Sequence, residues 1–524
     1  VQKDEYGSRQ ARSRPYPHIR LSVHQPAPWM TVHGINPVGG RGQARLSSKA
    51  GVEWQGGQDV VKKDVFALSD MMHRFSMLLD CPREIRIVFV MKLLEATAYF
   101  LFAVVLVSLL SSEFGMSDRT AGWLYGCYGT TVSILGLFMG FVIDNIGVRW
   151  TLLLAGVLLV GSRAIITFTS AGWLATVTLL TMASVGQALI NPVLAMALRR
   201  YTDEDVRQFA FSLFYVTQNL AYAAGAFLIH GVRYAHGAAE WHLSMYRVVL
   251  LCGVVCTAAE LGFACMVREI KAKKDGSVET FVPRTSSGYN ISKEVLGQPR
   301  FWRFLAISVL FLGVMMNFHH MNVTFPKYFL RQFGEDAPFE LVLAINPIVI
   351  IFLVPAVTYL IDLWRLDYGT VLVVGSLISG VSPFALAVLN STQGAIVWMV
   401  MLSLGEAIWS PKLMEMSVAV APEGREGTYM SLTSAPLLIS KLGVGGLSGA
   451  LLTQFCPEEG DCHGSMMWTV VGCTTCPLTL VLLLLRSRLF VPQDWAVGAQ
   501  YDSPSLSQKE ASIGGGKGPE YGAC

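Results

Sequence analysis

Glu406, Lys412 and Glu415 lie within GEAIWSPKLMEMSVAVAP, Gly405–Pro422, in a strongly apolar part of the chain. Charges at membrane depth are costly, and where they occur they serve ion pathways, proton relays or ligand sites. At about 100° per residue, positions three apart lie about 60° from each other on a helix. Lys412 and Glu415 therefore share a face and can pair. Glu406 is nine residues from Glu415, on the opposite side of a straight helix, and Pro411 between them can bend that relation. The chemistry on offer is proton transfer by a carboxylate, or capture of an ammonium group. A structural ion pair between helices is the alternative.

Further polar groups sit in other apolar runs. Lys92 and Glu95 share one face of the first run, and Glu95 is a candidate proton carrier. Arg163, Glu260 and Lys441 are isolated charges that could pair with carboxylates or cations of neighbouring helices. His319 and His320 are adjacent, so only one can face a common cavity squarely; histidine titrates near neutrality and suits proton coupling. Gln218 and Asn219 are amides able to bond across helices.

These groups need elements that span a bilayer. The 524 residues are 52% hydrophobic and 15% charged, net charge +3, against about 25% charged for soluble proteins. Apolar runs of about 20 residues recur, each long enough to cross hydrocarbon as a helix. Alternating barrel strands are not the pattern. Twelve spans are expected. The first six are Ile85–Leu110, Ala121–Ile143, Thr151–Thr169, Leu174–Leu198, Phe209–His230 and Met245–Val267. The second six are Phe304–Phe325, Phe339–Ile361, Tyr368–Leu389, Ala395–Val420, Tyr429–Leu452 and Ser465–Leu485. The fold class is an all-α polytopic membrane protein of two six-helix halves. Residues 1–63 read as a disordered basic tail, 64–84 as an amphipathic lead-in, 85–267 as the first half and 268–303 as a basic linker. Residues 304–486 form the second half and 487–524 a second tail. The chain opens on Val1, so a preceding targeting segment stays open.

Cations gather in the first tail, at Arg149, Arg199, Arg200, Arg207, the linker, Arg365, Arg425, Arg486 and Arg488. The positive-inside rule then places both termini in the cytosol, of a plasma membrane or an endomembrane. Cys456 and Cys462 bracket an acidic loop on the other side, where a disulfide can persist. Cys473 and Cys476 lie in an apolar run and read as packing residues. The cysteines show no zinc spacing, so no metal is expected.

GFVIDNIGVRW, Gly140–Trp150, resembles the loop motif G-x-x-x-D-x-x-G-x-R of the major facilitator superfamily, with Gly140, Asp144, Gly147 and Arg149 in register. The resemblance implies a gating loop. FSLFYVTQNLAYAAG, Phe211–Gly225, resembles F-S-x-F-Y-x-x-I-N-x-G-S of the proton-dependent oligopeptide transporters, a family that also covers peptide and nitrate carriers. LAINPIVIIFLVP resembles that family's eighth helix, with Asn346, Pro347 and Pro355 in register. Glu406, Glu415, Ala421 and Pro422 match the spacing of its tenth.

The departures are informative. Where that family carries E-x-x-E-R, this chain reads EATAY: Glu95 remains, Ala98 replaces the second Glu and Tyr99 the Arg. GQALINP puts Asn191 where a Lys is expected, and MMNFHHMNV stands in place of a Q-Q motif. A phenol and an amide cannot supply bidentate carboxylate recognition, so a free peptide terminus is a poor ligand. The resemblance implies substrate contacts from Glu415, Lys412, Glu95, Tyr99, Asn191, Asn219, Asn346, His320 and Asn317. Proton coupling is expected through Glu95, Glu415 or Glu406, or through His319 on the ground of its titration near neutrality.

The expected function is secondary active transport of a small polar amine-bearing solute, such as an amino acid, peptide or related metabolite. The proton gradient is the energy source and no cofactor is needed. Partners are the substrate, protons and the lipid bilayer, with no nucleic acid and the oligomeric state open. An anion carrier of the same fold, reading nitrate or a carboxylate, and a non-transporting sensor or scaffold stay as alternatives. No G-x-x-x-x-G-K-S/T loop occurs, which argues against a nucleotide-driven pump. No nucleophile–base set points to an enzyme.

Overall fold

The computed structural model describes residues 76–78, 81–202, 204–238, 242–272, 278–280, 299–419 and 426–490. Residues 1–63, most of the lead-in, most of the linker and residues 491–524 lie outside the described residues. A helix stands at each of the twelve expected places. Eight of the described helices are long and apolar enough to cross a membrane, and a bent pair makes a ninth.

Before the linker run α1 (Arg83–Ser112), α2 (Asp118–Ile146) and α3 (Val148–Phe168). Next, α4 (Gly172–Thr178) continues through a π-helical turn, Leu179–Ala183, into α5 (Ser184–Tyr201). Then come α6 (Glu204–Ala238) and α7 (Met245–Met266). After the linker follow α8 (Pro299–Leu310) and α9 (Leu312–Val323), which form one span bent by 44°. The short α10 (Phe325–Phe333) carries Pro326 in its first turn, a place that suits proline. The remaining elements are α11 (Phe339–Leu363), α12 (Tyr368–Val381), α13 (Pro383–Val388), α14 (Thr392–Ala419), α15 (Glu426–Phe455) and α16 (Gly464–Leu489). Side-chain caps start three of them: Ser117 accepts from the Thr120 amide, Ser244 from that of Arg247 and Asp367 from that of Thr370.

The linker contributes the one departure from an all-helical reading among the described residues. Ile270–Ala272 and Val278–Thr280 pair antiparallel, with Ile270 opposite Thr280. The polar composition of that segment hides a three-residue ladder.

The helices before and after the linker meet along two seams, α2 against α15 and α6 against α11. Glycines set the first. A Cβ on Gly445 would lie 2.5 Å from the Gly122 carbonyl oxygen and 2.7 Å from the Gly126 backbone. One on Gly449 would meet the backbone of Asp118 and Arg119. Close backbone approach of this kind is how small residues serve helix packing in lipid. Gly443 differs from the stripe: its nearest neighbour is the Met316 side chain, at 3.8 Å.

Cys456 and Cys462 are joined by a disulfide, which marks one end of the bundle. The linker marks the other.

Candidate functional site

Glu406 sits where the second seam meets α14. Its Oε1 accepts from the Tyr215 hydroxyl of α6 at 3.2 Å, and its Oε2 from the Asn346 amide of α11 at 2.8 Å. The same amide donates to Ser403, and Tyr215 lies 3.5 Å from Ser410. Glu406 is partly accessible. One carboxylate therefore draws a donor from each side of the linker. Tyr215 was legible only as one letter of the quoted Phe211–Gly225 string; its role needs the α6–α11 contact, which no local pattern encodes.

Glu95 belongs to a second polar cluster, among the helices before the linker. It is 2% exposed. Its Oε1 accepts from Gln187 of α5 at 3.0 Å and its Oε2 from Lys92 at 3.5 Å. Lys92 also donates to Asn191 at 3.4 Å and lies over the Phe214 ring. Thus Glu95 and Asn191 come together through Lys92. Tyr99, on the same helix, lies within electrostatic reach of Tyr125, Tyr128 and Tyr222. Asn219 is buried and returns its amide to the Tyr215 carbonyl of its own helix at 3.0 Å.

Other candidates lie apart from both clusters. Asn317 donates to the Ser379 carbonyl and the Ser382 hydroxyl, at 2.8 and 2.9 Å, and accepts from Trp398. That set binds α9 to α12 and α14. His320 is buried, with Nδ1 2.7 Å from Thr324, which in turn donates to Ser448 of α15. His319 is half-buried and faces the field of Lys441. Lys412 stands over the Tyr368 ring of α12, 5.4 Å from its centre. Glu415 lies in α14, and its side chain is outside the described residues.

At the linker end, Gly147 separates α2 from α3 with φ +90°, a left-handed conformation that favours glycine. Glu269, unsuspected from the sequence, accepts from the amides of Val148 and Arg149 at 3.0 and 2.9 Å and from Arg200 at 2.9 Å. A carboxylate at a helix N-terminus complements the free amides and the dipole there. Arg149 is exposed; the side chain of Asp144 and the surroundings of Gly140 lie outside the described residues.

At the disulfide end, ion pairs cross both seams. Asp118 of α2 accepts from Lys327 at 2.5 Å and from Arg331 at 2.6 Å, both on α10. Glu340 of α11 accepts from His230 and Arg233 of α6 at 2.7 and 2.6 Å. Cations that break the charge bias of this end are thus neutralised across the seams. Burial pushes the Asp118 carboxyl up, but Arg331 and Lys327 outweigh it and hold it below its usual value. A group held low in one state favours that state above its ordinary pKa and releases it as pH falls through the lowered one. Spin labels on the first turn of α2 and on α10 should keep their spacing through the ordinary carboxylate range and separate only below it. Asp118→Asn should separate them at neutral pH; an unchanged distance in that variant would show that the pairs do not hold α2 to α10.

The family model described as Major Facilitator Superfamily matches residues 88–439. No curated protein matches the sequence. Among solved structures, the chain is similar to a POT family transporter in complex with 5-aminolevulinic acid. The TM-score is 0.63 at 15% identity, covering 78% of this chain and 97% of that one. A POT family transporter with a thioalcohol-conjugated peptide gives 0.63 at 16%, with the same coverages. The peptide transporter POT in complex with sulfate gives 0.62 at 16%, covering 78% and 95%. At these identities the likeness establishes the fold.

Proposed function

The chain belongs to the Major Facilitator Superfamily, and from that we propose that it is a proton-coupled carrier of a small polar solute bearing an amine. As a member it is a multi-pass membrane transporter of small solutes and not an enzyme. The observation that carries the finer reading is Glu406, bonded by Tyr215 from one half and Asn346 from the other. Alternating access rocks the halves about a site near mid-membrane. A carboxylate with donors on both sides must then exchange partners in each cycle. An ammonium group is a stronger partner than a phenol, since a charged donor strengthens the hydrogen bond. Glu415 and Glu95 are further acids of this pathway, and both termini face the cytosol. The printed ligands of the neighbours, 5-aminolevulinic acid and a peptide conjugate, are amine-bearing classes to offer first.

An anion carrier has one observation in its favour. Lys441 lies along Gly129 at the first seam, and no ion pair to it occurs among the described residues. Thermal unfolding of the purified protein separates the two readings. Amino acids, dipeptides and 5-aminolevulinate should raise the melting temperature, their des-amino analogues should not, and Glu406→Gln should lose the effect. Saturation at about 100 times Kd stabilises by about 2.7 kcal/mol. Stabilisation by nitrate or by the des-amino acids alone would refute the amine reading.

A further inference from the structure

Glu260 of α7 is 1% exposed, and among the described residues neither of its carboxylate oxygens has a hydrogen-bond partner. An ionised carboxylate is not held in such a place without donors; it takes a proton instead. The cation beside it is already engaged. Arg163 of α3 donates to Thr257, one turn before Glu260 on the same face of α7. Its other terminal nitrogen reaches Gln187 at 3.5 Å. A structural Arg163–Glu260 ion pair would show direct contact; the arginine instead bypasses the acid.

We propose that Glu260 binds the coupled proton, and that Arg163 takes up its carboxylate once the proton leaves. The inference rests on the proton-coupled reading above and assigns the proton a site apart from Glu406. The charged and titratable groups around Glu260 are Glu95 and Lys92 of α1, Arg163 of α3 and Cys256 on its own helix. When the proton leaves for the cytosol, Glu260 becomes a carboxylate. Arg163 then moves from Gln187 to the new charge. Gln187 also donates to Glu95, which accepts from Lys92, which donates to Asn191. Asn191 is exposed, so the chain of contacts runs from Arg163, beside the buried acid, to open space. Loss of a proton at Glu260 thereby alters a residue that the solute can reach.

Infrared difference spectra of the full chain in liposomes, recorded between acid and alkaline pH, read the proton directly. The carbonyl stretch of a buried carboxylic acid should titrate in the wild type and vanish in Glu260→Gln, whose shape is nearly unchanged. Glu260→Asp should keep a shifted band, and Glu406→Gln should keep the wild-type one. Wild-type spectra without a titrating band, or a band that survives in Glu260→Gln, would overturn the assignment. Acid-gradient uptake in the same liposomes tests the broader reading separately. If the wild type shows no gradient-driven uptake of any amine-bearing solute, the coupled carrier itself fails, whatever the band does. A wild type that couples, beside a Glu260→Gln that couples equally well, overturns the role of Glu260 alone.

Discussion

Replacing Glu406 by glutamine should weaken the apparent affinity for an amine-bearing solute by roughly 10- to 100-fold. A hydrogen bond to a charged group contributes about 1.5–3 kcal/mol, and the variant removes the charge while keeping the shape. The amide can still accept from Tyr215, now 3.2 Å from Oε1, so the seam should stay closed and the protein folded. Tyr215→Phe removes only the donor from α6 and leaves the charge, so its effect should be no more than a few-fold. Uptake of labelled solute by both variants measures the contrast. Equal losses in the two would mean that Glu406 acts as a strut between helices rather than as a ligand for the solute.

The second large effect belongs to the α2–α15 seam. Gly445→Val places branched carbon against the Gly122 carbonyl and the Gly126 backbone, neither of which can rotate aside. Overpacking of a tight interior costs about 1–3 kcal/mol. Here the strain falls between the two halves, so transport should fall to a small fraction of wild type as the melting temperature drops. Gly443→Ala is the control two residues away: its new methyl meets only Met316 at 3.8 Å. Glycine is less favourable than alanine in a helix interior by roughly 0.5–1 kcal/mol, so this variant should melt slightly higher and transport normally. Matching losses at both positions would place the constraint elsewhere on α15.

The helices were legible because twelve apolar runs leave the backbone one solution in lipid, internal hydrogen bonding. Breaks inside them were less so. The 44° bend between α8 and α9 and the π turn of Leu179–Ala183 arise within runs whose hydropathy does not change. At the site, residue types betrayed the intramembrane charges but not their company. Glu406 lacks a local partner in sequence; its donors lie 191 and 60 residues away. Lys412 stands over Tyr368, contributed by another helix, a contact that helical spacing within its own run does not encode. Asn317 reads as a polar group available to a solute, and the fold occupies it with Ser379, Ser382 and Trp398. Glu269 had no signal at all, because its function depends on a helix start 120 residues earlier.

Uptake by the wild-type protein in liposomes bears most directly on the central claim. Labelled amino acids, dipeptides, 5-aminolevulinate and nitrate would be offered with an inward acid gradient and, in parallel, with none. The predicted result is accumulation of an amine-bearing solute above its external concentration, only with the gradient, and lost in Glu406→Gln. Accumulation of nitrate alone, or uptake of an amine that ignores the gradient, would contradict it.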